Sequence, residues 1–437
     1  MSVALPAAAT PIYGSMKLIR NLIWLYFFLL IFEGFLRMIL PMFADALLVA
    51  RDPFLLIMYL VAHVTRVFPW NKYVVLLWLL GAITLIFGFA QNPNIPVVTL
   101  YGFRVAFLHV PLMFLIRNVM DDKDIIVFGK WFLILSIPIA ILMAMQFTMG
   151  PNHWLNRGLD MQFAQIQSAG GKIRPPGTFT FTLGPSIFYA FVTSFLMYDQ
   201  FHKGNYPKWL VVAATAATCV ALAVSGSRYA LASVGTVILL AVVAVLLARP
   251  KAISGFVRFA FVVALGLLIA SQFSVFGEGA DIFSSRILAA GEHEGGFKGF
   301  LMRAFGEYIV AIGKVEHAEL TGAGLGFGTN AGAALMTSAR GFTLAEGEWA
   351  RVILELGPYM GLAVLAMRLG LVIWMGLKSF NAAKLGHMLP IMLFGSCGTV
   401  ILTGQWGQTT VLGFAALGGG LCIAALPATK RRAGVKT

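Results

Sequence analysis

Asn21-Leu-Ile-Trp-Leu-Tyr-Phe-Phe-Leu-Leu-Ile-Phe-Glu-Gly-Phe-Leu-Arg-Met-Ile-Leu40 is the stretch that decides the fold. Twenty residues of helix reach about 30 Å, the thickness of the hydrocarbon layer of a bilayer. Glu33 and Arg37 are the charges in the run, four residues apart, where a carboxylate and a guanidinium meet on one helix face. Lys17 and Arg20 precede it, and no small-residue cleavage site stands before Pro41, so it reads as a retained signal anchor. Similar runs recur near 21–40, 53–68, 73–90, 97–117, 125–148, 180–198, 208–225, 229–248, 254–273, 349–377, 386–403 and 408–427, about twelve in all. The expected fold class is all-α: a polytopic transmembrane helical bundle forming one integral membrane domain over 1–437.

Composition agrees. Hydrophobic residues make up 59% of the 437 positions and charged residues 11%, with a mean hydropathy of +0.85; a soluble domain carries about a quarter charged residues. The net charge of +14 does not point to nucleic acid, because the basic residues lie between spans and no soluble basic segment is interleaved with aromatics. Cys219, Cys397 and Cys422 fall far apart in apolar runs and read as small apolar filler. His153, His293 and His317 have no second ligand at metal spacing, so no metal is expected.

Lys and Arg in alternate loops set the expected orientation. Basic loops hold Lys17 and Arg20; Arg66 and Lys72; Arg117, Lys123 and Lys130; Lys203 and Lys208; Arg249, Lys251 and Arg258; Lys378 and Lys384; and the tail from Lys430 to Lys436. The short loops of the other side are nearly bare, with Arg51 and Arg228 the exceptions. Both termini are therefore expected in the cytoplasm. Two long connections fall outside, at 150–179 and 274–347. The second is far longer than an ordinary connection, and such loops are usually functional or disordered. Phe300, Leu301, Ala304, Phe305, Tyr308, Ile309 and Ile312 give it helical spacing, an amphipathic helix against the bundle. The glycine-rich stretch Gly322 to Gly328 follows; no Lys-Ser/Thr comes after it, so it is not a phosphate loop.

Arginines on the outer side are the candidate functional groups. Arg174 lies in Lys172-Ile-Arg-Pro-Pro-Gly-Thr-Phe179, and Arg228 in Ser225-Gly-Ser-Arg-Tyr229; Arg286 and Arg303 sit in the long loop. A guanidinium stays charged and grips phosphate oxygens bidentately, so several converging would hold a lipid-linked phosphate or pyrophosphate. The plainer reading is that each anchors a span end by snorkelling. Arg104 lies inside the fourth span, where charge is costly; it either pairs with another span's carboxylate or serves a substrate. Thr343 and Glu346 have capping-box spacing ahead of the tenth span. Glu348 is either a first-turn carboxylate favoured by the helix dipole or a general base, and Arg351 and Glu355 stand one turn apart.

Taken in order, these phrases resemble the O-antigen ligase and O-antigen polymerase superfamily. The resemblance rests on Arg174 to Phe179, Ser225 to Arg228, Arg303 on the loop helix, Gly322-x-Gly-x-Gly326 and Glu355-Leu-Gly357, and covers roughly 150–370. It implies a GT-C-like bundle of the bacterial inner membrane that transfers glycans at its periplasmic face with inversion. The implied donor is a glycan on undecaprenyl pyrophosphate, the acceptor a glycan or lipid, and no cofactor, nucleotide sugar or metal is needed. Membrane lipids and a chain-length regulator are the further partners it suggests. Arg174 and Arg228 would hold the leaving pyrophosphate, with Arg104, Arg286, Arg303 and Arg351 as further substrate contacts and Glu348 as base. Lipid-A-core ligases carry a histidine in the phrase opening the tenth span; here that phrase is Glu346-Gly-Glu348-Trp349, which points to the polymerase or exopolysaccharide side. The competing readings are a flippase for the same lipid-linked substrate, which should place charges deep in several spans, and a non-catalytic subunit of a polysaccharide complex.

Overall fold

A computed structural model describes residues 13–156, 172–202, 204–248, 297–337 and 344–427. Among them every regular element is a helix. The main ones are α1 (Tyr13–Ile39), α2 (Arg51–Val64), α3 (Lys72–Gln91), α4 (Pro96–Phe103), α5 (Val110–Val119), α6 (Asp122–Thr148), α7 (Leu183–Phe201), α8 (Lys208–Ser225), α9 (Arg228–Ala248), α10 (Phe297–Val315), α11 (Asn330–Thr337), α12 (Glu348–Lys384), α13 (Leu389–Thr403) and α14 (Thr409–Ala424). Eight helical stretches among the described residues are long and apolar enough to cross a membrane: Gly14–Ile39, Pro41–Val64, Lys72–Gln91, Pro96–Val119, Asp122–Thr148, Lys208–Ser225, Arg228–Ala248 and Glu348–Lys384. The second begins at Pro41, a dozen residues earlier than its apolar run suggests. The expected eleventh and twelfth spans are the shorter apolar helices α13 and α14. The ninth, near 254–273, lies outside the described residues.

Local sequence explains where helices begin and end. Asp121 caps α6: its carboxylate accepts from the Asp124 amide, and Asp124 accepts from the Asp121 amide, each at 3.0 Å. That amide bond holds the Asp121 carboxyl below the ordinary carboxylate range. Gly226, at φ 54°, ends α8, and the Ser227 hydroxyl accepts from the Ala230 amide at 3.3 Å to start α9. A two-residue turn there leaves α8 and α9 antiparallel, and α7 joins α8 through a short connection. The starts of α7 and α9 therefore share one end of the bundle.

Small residues set the packing at the centre. A Cβ on Gly418, Gly419 or Gly420 would strike Phe191, Met113 or Ile116, so α14 nests closely against α5 and α7. Aromatic rings tie the layers together: Trp24 stacks on Phe128 at 3.7 Å, Phe132 on Phe191 at 5.4 Å and Phe191 on Phe414 at 5.8 Å.

α12 is one apolar run but two helices. Gly357, at φ 77° and ψ 170°, breaks it just before Pro358. Arg368 Nη1 lies 2.8 Å from Glu348 Oε1, although twenty residues of unbroken helix would hold them about 30 Å apart. A Cβ on Gly361 would meet Ile353 Cα at 2.8 Å. The segment Glu348 to Leu356 thus doubles back along the segment that begins at Pro358.

The loop helix forms, and two residues of its expected face, Ile309 and Ile312, turn away from the bundle. Gly306 and Ala311 are buried, whereas Ile309 and Ile312 are exposed. Tyr308 does face α12, its ring 4.5 Å from that of Trp349, while the side chains of Phe300, Leu301, Ala304 and Phe305 lie outside the described residues.

Candidate functional site

Two buried charge clusters occupy the end of the bundle where α7 and α9 begin. In the first, Arg51 Nη2 reaches Glu33 Oε2 at 3.1 Å and the Thr409 carbonyl at 2.6 Å, while the Thr409 hydroxyl donates to Glu33 at 2.9 Å. Arg37 stands 3.8 Å from Glu33, the helix-face pair read from α1. Arg104 pairs with Asp52 and donates from Nη2 to the Leu48 carbonyl at 3.1 Å. His109 bridges Asp52 at 3.1 Å and the Tyr26 hydroxyl at 2.9 Å. Among the described residues, three guanidiniums and one imidazole thus gather around two carboxylates.

Backbone irregularity puts Arg104 there. The fourth span passes through a π-turn at Arg104–Leu108 between α4 and α5, and such turns mark functional positions in many helices. Arg104 Nη1 and Arg51 Nε are buried without a hydrogen-bond partner. An unmatched buried donor is costly, and native structures keep few of them.

The second cluster lies at the start of α12. The Glu348 carboxylate accepts from Arg351 Nε and Nη2 at 2.9 and 2.8 Å and from Arg368 Nη1 at 2.8 Å. Arg351 Nη1 also reaches Glu355 at 2.7 Å. Glu355 in turn accepts from the amides of Gly326 and Gly328 at 3.2 and 2.8 Å. The glycine stretch is an anion cradle whose anion is the protein's own carboxylate, and it adopts positive φ at Gly322, Gly324 and Gly326 to wrap it. Arg368 lies 3.5 Å over the Trp406 ring. Trp406 is three residues before Thr409, so the α13–α14 turn joins the two clusters.

No family model, curated protein or solved structure matches this chain.

The expected site residues fare differently. Arg174 is half-buried in a segment fixed from two sides. The Gly177 amide donates to Gln146 at 2.8 Å, and the Phe35 amide of α1 donates to the Thr178 carbonyl at 2.8 Å. Gly34 permits that approach, since a Cβ there would lie 2.3 Å from the Phe179 carbonyl carbon. Arg228 is exposed at the first position of α9. Both belong to the end that holds the charge clusters. Arg286 lies outside the described residues, as does the Arg303 side chain, although Arg303 falls on α10 as expected. Arg351 is an internal brace between Glu348 and Glu355, and Arg104 is buried against Asp52.

Glu348 is enclosed: it is 1% exposed, and its two oxygens accept three hydrogen bonds from Arg351 and Arg368. The Thr343 half of the expected capping box lies outside the described residues. α12 starts after Gly347 without a side-chain cap, and Glu307 of α10 accepts from the Trp349 amide at 3.1 Å instead. Burial pushes the Glu307 carboxyl above its ordinary range, the nearby Glu348 charge adds to the rise, and the Trp349 amide opposes it. Sequence reasoning passed over Arg368, Asp52 and Glu307. Arg368 carried a usable signal, a lone cation inside an apolar run; the other two acquire their importance only from distant partners.

Proposed function

We propose that the chain is an inverting glycosyltransferase of the bacterial inner membrane that polymerises or ligates undecaprenyl-pyrophosphate-linked glycans at the periplasmic face, with polymerisation favoured. The acceptor hydroxyl attacks the anomeric carbon, the bond to the pyrophosphate oxygen breaks, and the departing diphosphate takes the negative charge. Guanidiniums meet that charge as it develops, the electrostatic contribution that dominates many enzymes. The supporting observation is the pair of buried guanidiniums of Arg51 and Arg104, each with an N–H that no described partner meets, at the end where the Arg174 and Arg228 segments emerge. Twelve spans, two outer loops at 150–179 and 274–347, and cytoplasmic termini belong to this reading. With Glu348 occupied, Glu307 is the carboxylate to test as proton acceptor.

A second reading, a flippase for the same lipid-linked glycan, draws on a specific correction. The sequence suggested few charges inside the spans, yet Glu33, Arg104, Arg351 and Arg368 are all buried within them, and α12 is broken at Gly357. Reconstitution separates the two. Proteoliposomes given a defined undecaprenyl-pyrophosphate glycan should yield longer or transferred glycan, and Arg174→Ala or Arg228→Ala should lower that yield by about a hundredfold or more while the protein still inserts. Transbilayer movement with no new glycosidic bond would replace the enzyme by the flippase.

A further inference from the structure

The opposite end of the bundle holds a groove of about 670 Å³ where α2 ends, α3 begins and α5 ends. Its walls are aromatic: Trp70, Tyr73, Phe114 and Trp374 line it, with Phe68 4.8 Å from Trp70 and Tyr73 5.6 Å from Phe114. Trp70 is 55% exposed and Trp374 38%. Two cations, Lys72 and Arg117, line it, and no carboxylate is among its described lining residues. Arg117 donates to the Ile423 carbonyl, which fixes its guanidinium at the base of α5.

A tryptophan-lined recess at the ends of apolar helices matches the boundary between hydrocarbon and headgroups, where indole rings concentrate. The volume falls within the range of sites for small organic ligands. Basic recesses between spans select anionic headgroups, because the phosphate replaces its water with fixed cations while the chains lie along apolar walls. We propose that this groove binds an anionic glycerophospholipid, headgroup phosphate on Lys72 and Arg117 and glycerol backbone against Trp70 and Trp374. The site is separate from the proposed glycan site and stands whatever reaction the other end performs.

Full-length protein in mild detergent, titrated with phosphatidylglycerol and read by native mass spectrometry, tests it. The wild type should retain phosphatidylglycerol well above phosphatidylcholine. Lys72→Gln should weaken retention about fivefold, Lys72→Arg should restore it, and Trp70→Ala should lower it with the charge intact. Lys208→Gln, an exposed cation elsewhere, should change nothing. Equal retention of the two lipids, or undiminished retention in both groove variants, would overturn the proposal. So would displacement by millimolar inorganic phosphate, which would make the groove a free-anion site, or occupancy by a protein chain in place of lipid.

Discussion

Neutralising Glu348 removes an anion shared by two guanidiniums, because Arg351 and Arg368 both close on its carboxylate at 2.8 Å. Arg351 keeps Glu355, but Arg368 is left with the Trp406 ring alone among its described partners. Removing one member of a buried ion pair costs about 3–5 kcal/mol. Glu348→Gln should therefore lower the thermal midpoint in detergent before it says anything about catalysis. A variant as stable as the wild type yet inactive would return Glu348 to a role in proton transfer. Glu307 gives a pH-dependent counterpart. Its folded carboxyl holds a proton more tightly than the unfolded one, so the stability it confers is complete below the ordinary carboxylate pKa and is lost as pH rises through the raised value. Amides from Glu307 to Val315, corrected for intrinsic rates, should exchange more slowly near pH 4 than at pH 7. Glu307→Gln should flatten that difference, and an unchanged pH profile would remove Glu307 as its source.

At the scale of elements, Gly357 and Gly34 carry the geometry that brings the clusters together. Gly357 adopts φ 77° and ψ 170°, a region open in practice only to glycine, and a Cβ there would lie 2.3 Å from the Leu320 carbonyl oxygen. Gly357→Ala should cost about 2 kcal/mol or more and separate Glu348 from Arg368, read as a lower thermal midpoint in detergent; a midpoint equal to that of the wild type would deny that glycine is required at the break. Long apolar runs made the helices legible, since hydrocarbon-length stretches admit few other folds. The reversal in α12 was not legible, because hydropathy is the same on both sides of Gly357 and the evidence for folding back is a contact twenty residues away. On α10, spacing placed Tyr308 against the bundle, where its ring meets Trp349, but it could not separate Tyr308 from Ile309 and Ile312, which are exposed.

For the whole molecule, charge distributes by end. Among the described short connections, 92–95, 226–227 and 404–408 carry no Lys or Arg, although Lys172, Arg174 and Arg228 stand at the same end. At the opposite end 65–71 carries Arg66, and Lys72, Lys208 and Lys384 flank the turns. Arg51, an apparent exception to that pattern, is answered internally by Glu33 and the Thr409 carbonyl. The phrases around Arg174 and Arg228 were legible because glycine, proline and serine announce their turns. The partners of Arg104 were not, because Asp52 meets it only across the packed bundle. If the bare end is periplasmic, a cysteine at Leu320, 69% exposed beyond α10, should react with an impermeant maleimide in intact cells. A cysteine at Leu385, 76% exposed in the α12–α13 turn, should react only after lysis. The background must lack Cys219, which is half-buried, and also Cys397 and Cys422, which are buried. The reverse labelling would turn the molecule over in the membrane and move both charge clusters, with the proposed glycan chemistry, to the cytoplasmic side; equal labelling of both positions in intact cells would deny that the two ends are separated by a bilayer at all.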